Sequence, residues 1–219
     1  MFDRFSAAAR DVMDRAGHES DRLRHNYIGG EHILVAIAEQ RAGPAPQLLA
    51  AHRLDATTLR DEMRRLITAG FLPPPTHSDA ELLRTVGVDL DRVARTLDES
   101  FGAAAVDDAV RQVSRRTGWT PLCGKALAVK QAFWFAAQQA DALGQADVGP
   151  EHLLLGLLRD AQNPLDKPRC FRNRWQRRRR ARLGLRDRGP NPVRLIVEAR
   201  GLTLGELHDA LLAQLRAAG

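Results

Sequence analysis

Gly29-Gly30-Glu31-His32 runs straight into the apolar stretch "ILVAIA", and 120 residues later Gly149-Pro150-Glu151-His152 runs into "LLLGLL". Glycine permits a tight entry, a glutamate in the first turn suits the positive end of a helix dipole, and the apolar run has to be buried. Each motif therefore predicts a loop that aims the N-terminus of a helix and a helix that then disappears into a core. Such a duplication fits two active sites, two halves of one scaffold, or two copies of a docking surface. A chain of 219 residues has room for one two-lobed domain or two small ones.

Hydrophobic residues make up 44% and aromatics 5% of the chain, and Ala, Leu and Arg dominate with few β-branched runs, so the expectation is an all-α protein. Phe5, Ala9, Val12, Ala16 and Leu23 fall at helical spacing and predict a first helix over 3–24. The motif at 29–32 opens a short second helix, "RAGPAP" ends it, and "PQLLAAHRL" and "DATTLRDEMRRLI" follow as two more, the last capped by Asp55. Three prolines in "FLPPPTHSD" exclude helix and mark a boundary. Beyond them, "AELLRTVGVDLDRVARTLDESFG" has the pattern of the third and fourth helices of such a unit without its first two. A second full unit follows, with "PLCGKALAVKQAFWFAAQQADALG" as first helix, the motif at 149–152 opening the second, and "NPVRLIVEARGLTLGELHDALLAQLRAA" as third and fourth. The expected organisation is a four-helix repeat at 1–70, a Pro-rich linker and half-repeat at 71–118, and a second repeat at 119–219 interrupted by an insertion at about 161–190.

The formal charge of +6 is local in origin: residues 167–188 carry Lys167 and ten arginines against Asp187 alone, which leaves −4 for the remainder. A solvated loop is one reading of that stretch. Arg172, Arg174, Arg177, Arg178, Arg179 and Arg180, with Trp175 or Phe171 to stack on a base, would also suit RNA or single-stranded DNA, an acidic partner, or the chain's own acidic remainder. Cys123 and Cys170 have no CxxC partner and are expected as free thiols, without zinc or disulfide. Glu-His invites comparison with HExxH, but no second histidine stands four positions on, so His32 and His152 are expected to be packed or hydrogen-bonded, with no metal. Gly124-Lys125 is followed by Ala126 instead of the Ser or Thr of a phosphate loop, so no nucleotide-driven motor and no cofactor is expected. No Ser-His-Asp, Cys-His or metal arrangement has legible spacing, which argues against an enzyme. The Phe133-Trp134-Phe135 cluster is expected to pack mainly into the core. No apolar stretch approaches the roughly 20 residues of a membrane span and the N-terminus lacks a signal-peptide core, so a cytoplasmic location and no membrane association are expected.

"MFDRF", "HNYIGGEHIL", "VGPEHLLLGLL" and the "VDLDRV" helix start together resemble the Clp N-terminal repeat domain of ClpC- and ClpA-type chaperones, in a stand-alone form without ATPase modules. The resemblance implies two pseudo-symmetric four-helix repeats and a role in binding substrates and adaptors of the ClpC–ClpP system. It also implies that Glu31 and Glu151 help hold a phosphorylated arginine, each carboxylate pairing with the guanidinium while N–H groups at the helix start bind the phosphate. Gly30 and Pro150 stand where the family usually has threonine. The family also binds cyclic peptide antibiotics near its N-terminus, where Phe2 and Trp119 match the aromatic contributors. The functional expectation is a non-enzymatic peptide-binding module serving as adaptor, decoy or antibiotic-binding protein. The alternative is a nucleic-acid-associated regulator using the Arg-rich insertion.

Overall fold

The computed structural model describes residues 2–75, 87–102, 104–106, 126–162, 184–185 and 190–218. Among these the chain is helical, with two strands of two residues each. The helices are α1 (Ala7–Arg22), α2 (Gly30–Ala38), α3 (Pro44–Ala51), α4 (Ala56–Thr68), α5 (Leu90–Phe101), α6 (Lys130–Ala142), α7 (Pro150–Ala161), α8 (Pro192–Glu198) and α9 (Leu204–Ala218). The all-α expectation holds.

Local signals set the helix ends. Ser6 Oγ accepts from the Ala9 N–H at 3.1 Å and opens α1, and Asp55 Oδ1 accepts from Thr57 and Thr58 at 3.0 Å and opens α4. Proline in the first turn helps start α3, α7 and α8, where its missing N–H costs nothing. α1 begins later than its periodicity predicts, because Phe5 is occupied in a parallel bridge to Val148.

Two helices form the centre. Residues 31–37 of α2 are buried on every side, as are 152–158 of α7, which is the pattern of a helix enclosed by others. α1 covers α2 with Ala9, Val12, Met13 and Ala16, and α6 covers α7 with Ala132, Phe133 and Ala136, the same positions displaced by 120. α9 packs on both α7 and α3, and α8 packs on α7, α2 and α4, so α1–α4 and α6–α9 share one continuous core.

Short parallel pairings join the segments that precede these helices. β1 (Tyr27–Ile28), ahead of α2, pairs with β2 (Ala126–Leu127), ahead of α6, and the Ala128 N–H donates to Ile28 O at 2.9 Å. Reciprocally, Val148, ahead of α7, donates to Arg4 O at 2.7 Å and accepts from Ser6 N–H at 3.1 Å, ahead of α1. This pairing corrects the expectation of a helix starting near residue 121: residues 126–127 are extended and α6 begins at Lys130. Backbone hydrogen bonding to the other half of the chain outweighs the helical pattern there.

Charges fasten α4 to the outside of α1 and α2. Glu19 on α1 is 5% exposed and accepts from Arg60 Nη2 on α4 at 3.0 Å and from Arg22 at 2.6 Å, while Arg60 also bonds Glu39. Burial pushes the Glu19 carboxyl up, but the hydrogen bonds from Arg60 and Arg22 outweigh it and hold the group below the ordinary glutamate range. A carboxylate so depressed contributes stability above its unfolded pKa and loses it as pH falls toward the folded value. Arg60→Met should cost roughly 2 kcal/mol at pH 7 in urea denaturation, the scale of lost hydrogen bonds to a charged group. The same variant should unfold at a higher pH than wild type in an acid titration followed by circular dichroism.

Candidate binding site at the helix starts

At both motifs the glutamate folds back over the glycine two residues earlier. A Cβ built on Gly29 would overlap the Glu31 carboxylate, and one on Gly149 that of Glu151, so a side chain at either position would have to push its carboxylate aside. The histidine next in sequence closes the turn: His32 Nδ1 accepts from the Gly29 N–H and His152 Nδ1 from the Gly149 N–H, both at 2.9 Å. These bonds are the N3-to-N-cap arm of a capping box and satisfy the glycine's own N–H; glycine has no side chain to supply the other arm. Both histidines are fully buried, as the sequence predicts.

Beyond that shared turn the two starts differ. Tyr27 donates its hydroxyl to Glu31 Oε1 at 2.7 Å, and the Glu31 side chain is only 4% exposed. Asp147 stands in the place of Tyr27 in the second start, and the Glu151 side chain is 20% exposed. His32 Nε2 meets His25 Nδ1 at 2.9 Å, and His25 Nε2 meets Pro73 O at 3.1 Å. His152 Nε2 is buried without a hydrogen-bond partner. Burial pushes the His152 imidazole below the ordinary histidine range; Glu151 pulls the other way, and the Arg4 guanidinium adds to the depression. His152 is therefore neutral in the fold, and its contribution to stability falls as pH drops below the unfolded value of about 6.5. Sequence reasoning missed His25 and Arg4, whose roles depend on contacts that no spacing rule reports. Arg4 crosses to the second half, bonding Ala146 O at 2.9 Å and Asp141 Oδ1 at 2.7 Å.

A shallow depression, partly open to solvent and enclosing only about 20 Å³, lies against the first start. Tyr27, Gly30 and Glu31 form one wall, and Val129, Leu157, Asp160, Asn191 and Val193 form the other. It thus combines one carboxylate at a helix N-terminus, a second at Asp160, and an apolar floor. A side chain at Gly30 crowds that floor, since its Cβ would stand 2.8 Å from Val193 Cγ2 and 3.1 Å from Leu157 Cδ2. Gly30→Thr should therefore lower stability by about 1–2 kcal/mol, and Val193→Ala in the same chain should recover part of it, as a urea-midpoint double-mutant cycle would report.

Trp119 and the six arginines from Arg172 to Arg180 lie outside the described residues, as do Cys123, Cys170 and the Phe2 side chain. Of the aromatic cluster on α6, Phe133 and Phe135 are buried at 1% and 9% exposure, whereas Trp134 is half exposed at 52%. Among the described residues no group of three or more His, Cys, Asp or Glu is placed to hold a metal ion. No helix among them is long and apolar enough to cross a membrane.

Residues 4–72 match the family described as the Clp repeat (R) N-terminal domain. A probable ATP-dependent Clp protease ATP-binding subunit of Chlamydia pneumoniae is 30% identical over 163 residues, which is 74% of this chain and 14% of that protein. The negative regulator of genetic competence ClpC/MecB of Bacillus subtilis is 26% identical over 162 residues, again 74% of this chain and 14% of its own length. The chain thus spans about one-seventh of these relatives. The crystal structure of the N-terminal domain of the chaperone ClpD from Arabidopsis thaliana superposes with a TM-score of 0.50 over 99% of this chain and 97% of that one; at 15% identity it speaks for the fold. Residues 4–72 belong to the Clp repeat (R) N-terminal domain family, and the chain is related over most of its length to the N-terminal regions of ClpC, ClpA and ClpB proteins.

Proposed function

We propose that this chain is a non-enzymatic peptide-binding module of a Clp chaperone system, built from two copies of one helical unit and acting as an adaptor, decoy or cyclic-peptide-binding protein. The observation that carries the reading is the depression at the α2 start, where the Glu31 carboxylate stands at a helix N-terminus above an apolar floor drawn from the other half of the chain. Such a combination suits a guanidinium-bearing side chain on a peptide: the carboxylate pairs with the cation, and the floor takes up the methylene stem. Glu151 repeats the carboxylate without the tyrosine clamp, so it is the more approachable of the two. The candidate ligands are arginine-phosphorylated peptides, cyclic peptides and components of the ClpC–ClpP machinery.

Fluorescence anisotropy with a labelled peptide carrying one phosphoarginine, and its unphosphorylated twin, tests the reading. Glu151→Gln is expected to weaken binding about tenfold, the equivalent of roughly 1.4 kcal/mol, with a smaller loss for Glu31→Gln. Absence of binding to either peptide, together with no retention of purified ClpC or ClpP on the immobilised chain, contradicts it.

A further inference from the structure

We infer that Leu185, near the end of the connection 162–191 between α7 and α8, is a built-in occupant of the depression at the α2 start, and that a peptide side chain enters there only when Leu185 leaves. The inference concerns access to the site proposed above and rests on that reading for its ligand, though not for the occupancy itself.

Little of the depression is free. It encloses about 20 Å³, room for about one water molecule, and Tyr27, Glu31, Val129, Leu157 and Val193 in its walls are all buried. A guanidinium on its methylene stem does not fit such a space, so binding requires a wall residue to withdraw. Val129, Leu157 and Val193 belong to the continuous core and cannot leave without disturbing it. Leu185 is different. It is 6% exposed and lines the same depression, yet it is not a member of that core. Among the described residues no hydrogen bond ties Gly184 or Leu185 to the wall, so apolar contact holds the side chain in place.

The backbone delivers Leu185 by a turn. Gly184 has a φ of +69°, the left-handed region that favours glycine, and Pro73 flanks it, with Cβ 3.8 Å from the place a side chain would begin. Pro73 is itself fixed, since its carbonyl oxygen lies 3.1 Å from His25 Nε2. The turn thus rests beside an anchored proline and points the next residue at the α2 start. The counterpart connection between α2 and α3 is residues 39–43 alone, so the duplicated scaffold carries this side chain on one side only. The guarded start is the one whose glutamate is the more buried of the two. Leucine covers the apolar floor but offers no charge to Glu31, so a ligand that brings both a cation and an apolar stem outcompetes it. Apparent affinity scales with the fraction of molecules whose site is open, so an occupant in place nine-tenths of the time weakens binding about tenfold.

Leu185→Ser in the full chain tests the inference in two steps. Without ligand, the Leu157 and Val193 methyl signals of the wild-type chain should resist broadening by a soluble paramagnetic chelate, and those of the variant should become accessible to it. With the labelled phosphoarginine peptide, fluorescence anisotropy should show affinity raised about tenfold in the variant, a gain that disappears when Glu31→Gln is added. Gly184→Val, which cannot hold a positive φ without strain, should reproduce part of the gain with Leu185 intact. Methyl signals equally protected in both chains overturn the inference. So does a peptide that binds wild type and Leu185→Ser alike, or a gain that survives Glu31→Gln. Methyl signals that open in a variant which, like wild type, binds no peptide leave the occupancy standing and reject the binding reading of the site.

Discussion

Alanine at Gly156 is expected to lower the stability of the chain by about 3 kcal/mol, read as the urea midpoint at unchanged slope. Gly156 lies in the middle of α7, where α6 crosses closest. A Cβ there would run into the Ala132 carbonyl oxygen and stand 2.8 Å from the Ala136 nitrogen. Those obstacles are backbone, so no rotamer change relieves them and the two helices would have to separate. Ala36 occupies the corresponding place on α2 and is fully buried against its own neighbours. The first half therefore accommodates a methyl group where the second does not, which makes the effect specific to the α6–α7 crossing.

Phe133→Ala carries the second large effect, about 3–5 kcal/mol. The ring is 1% exposed and meets Phe5 edge-on, with centroids 5.6 Å apart and planes at 87°. Phe5 in turn sits in the segment that bridges to Val148, so the lost volume opens where the chain's beginning locks onto its second half. Because the core is continuous, unfolding should remain a single transition displaced as a whole. Two separated transitions in circular dichroism would contradict a shared core.

The parts of this fold that a sequence announces are those decided within a few residues. Asp55 precedes a helical pattern and caps α4, and Ala9, Val12 and Ala16 recur at helical spacing and are buried. The duplicated Gly-x-Glu-His motif announced both central helices, since glycine, anion and apolar run act together within one turn. Partnerships between distant residues were not legible. Two-residue strands are too short to show alternation, so β1, β2 and the Phe5–Val148 bridge left no pattern, and α6 was expected to start too early. Trp134 shares its helix with two buried phenylalanines, and only the angle about the helix axis turns it outward. The candidate site shows the same division: Glu31 and Glu151 could be named from the motif, but their unequal exposure depends on Tyr27 against Asp147. His25 becomes significant only when Pro73, 48 residues away, supplies its acceptor.

The central claim is that the two glutamate-bearing helix starts are the surface on which this chain holds peptides. Backbone amide shift mapping during addition of the phosphoarginine peptide tests it most directly. The account predicts saturable shifts concentrated at residues 27–31 and 147–151, greatly reduced in the Glu31→Gln, Glu151→Gln double variant. Saturable binding that leaves both loops unperturbed, or that persists unchanged in the double variant, would contradict it.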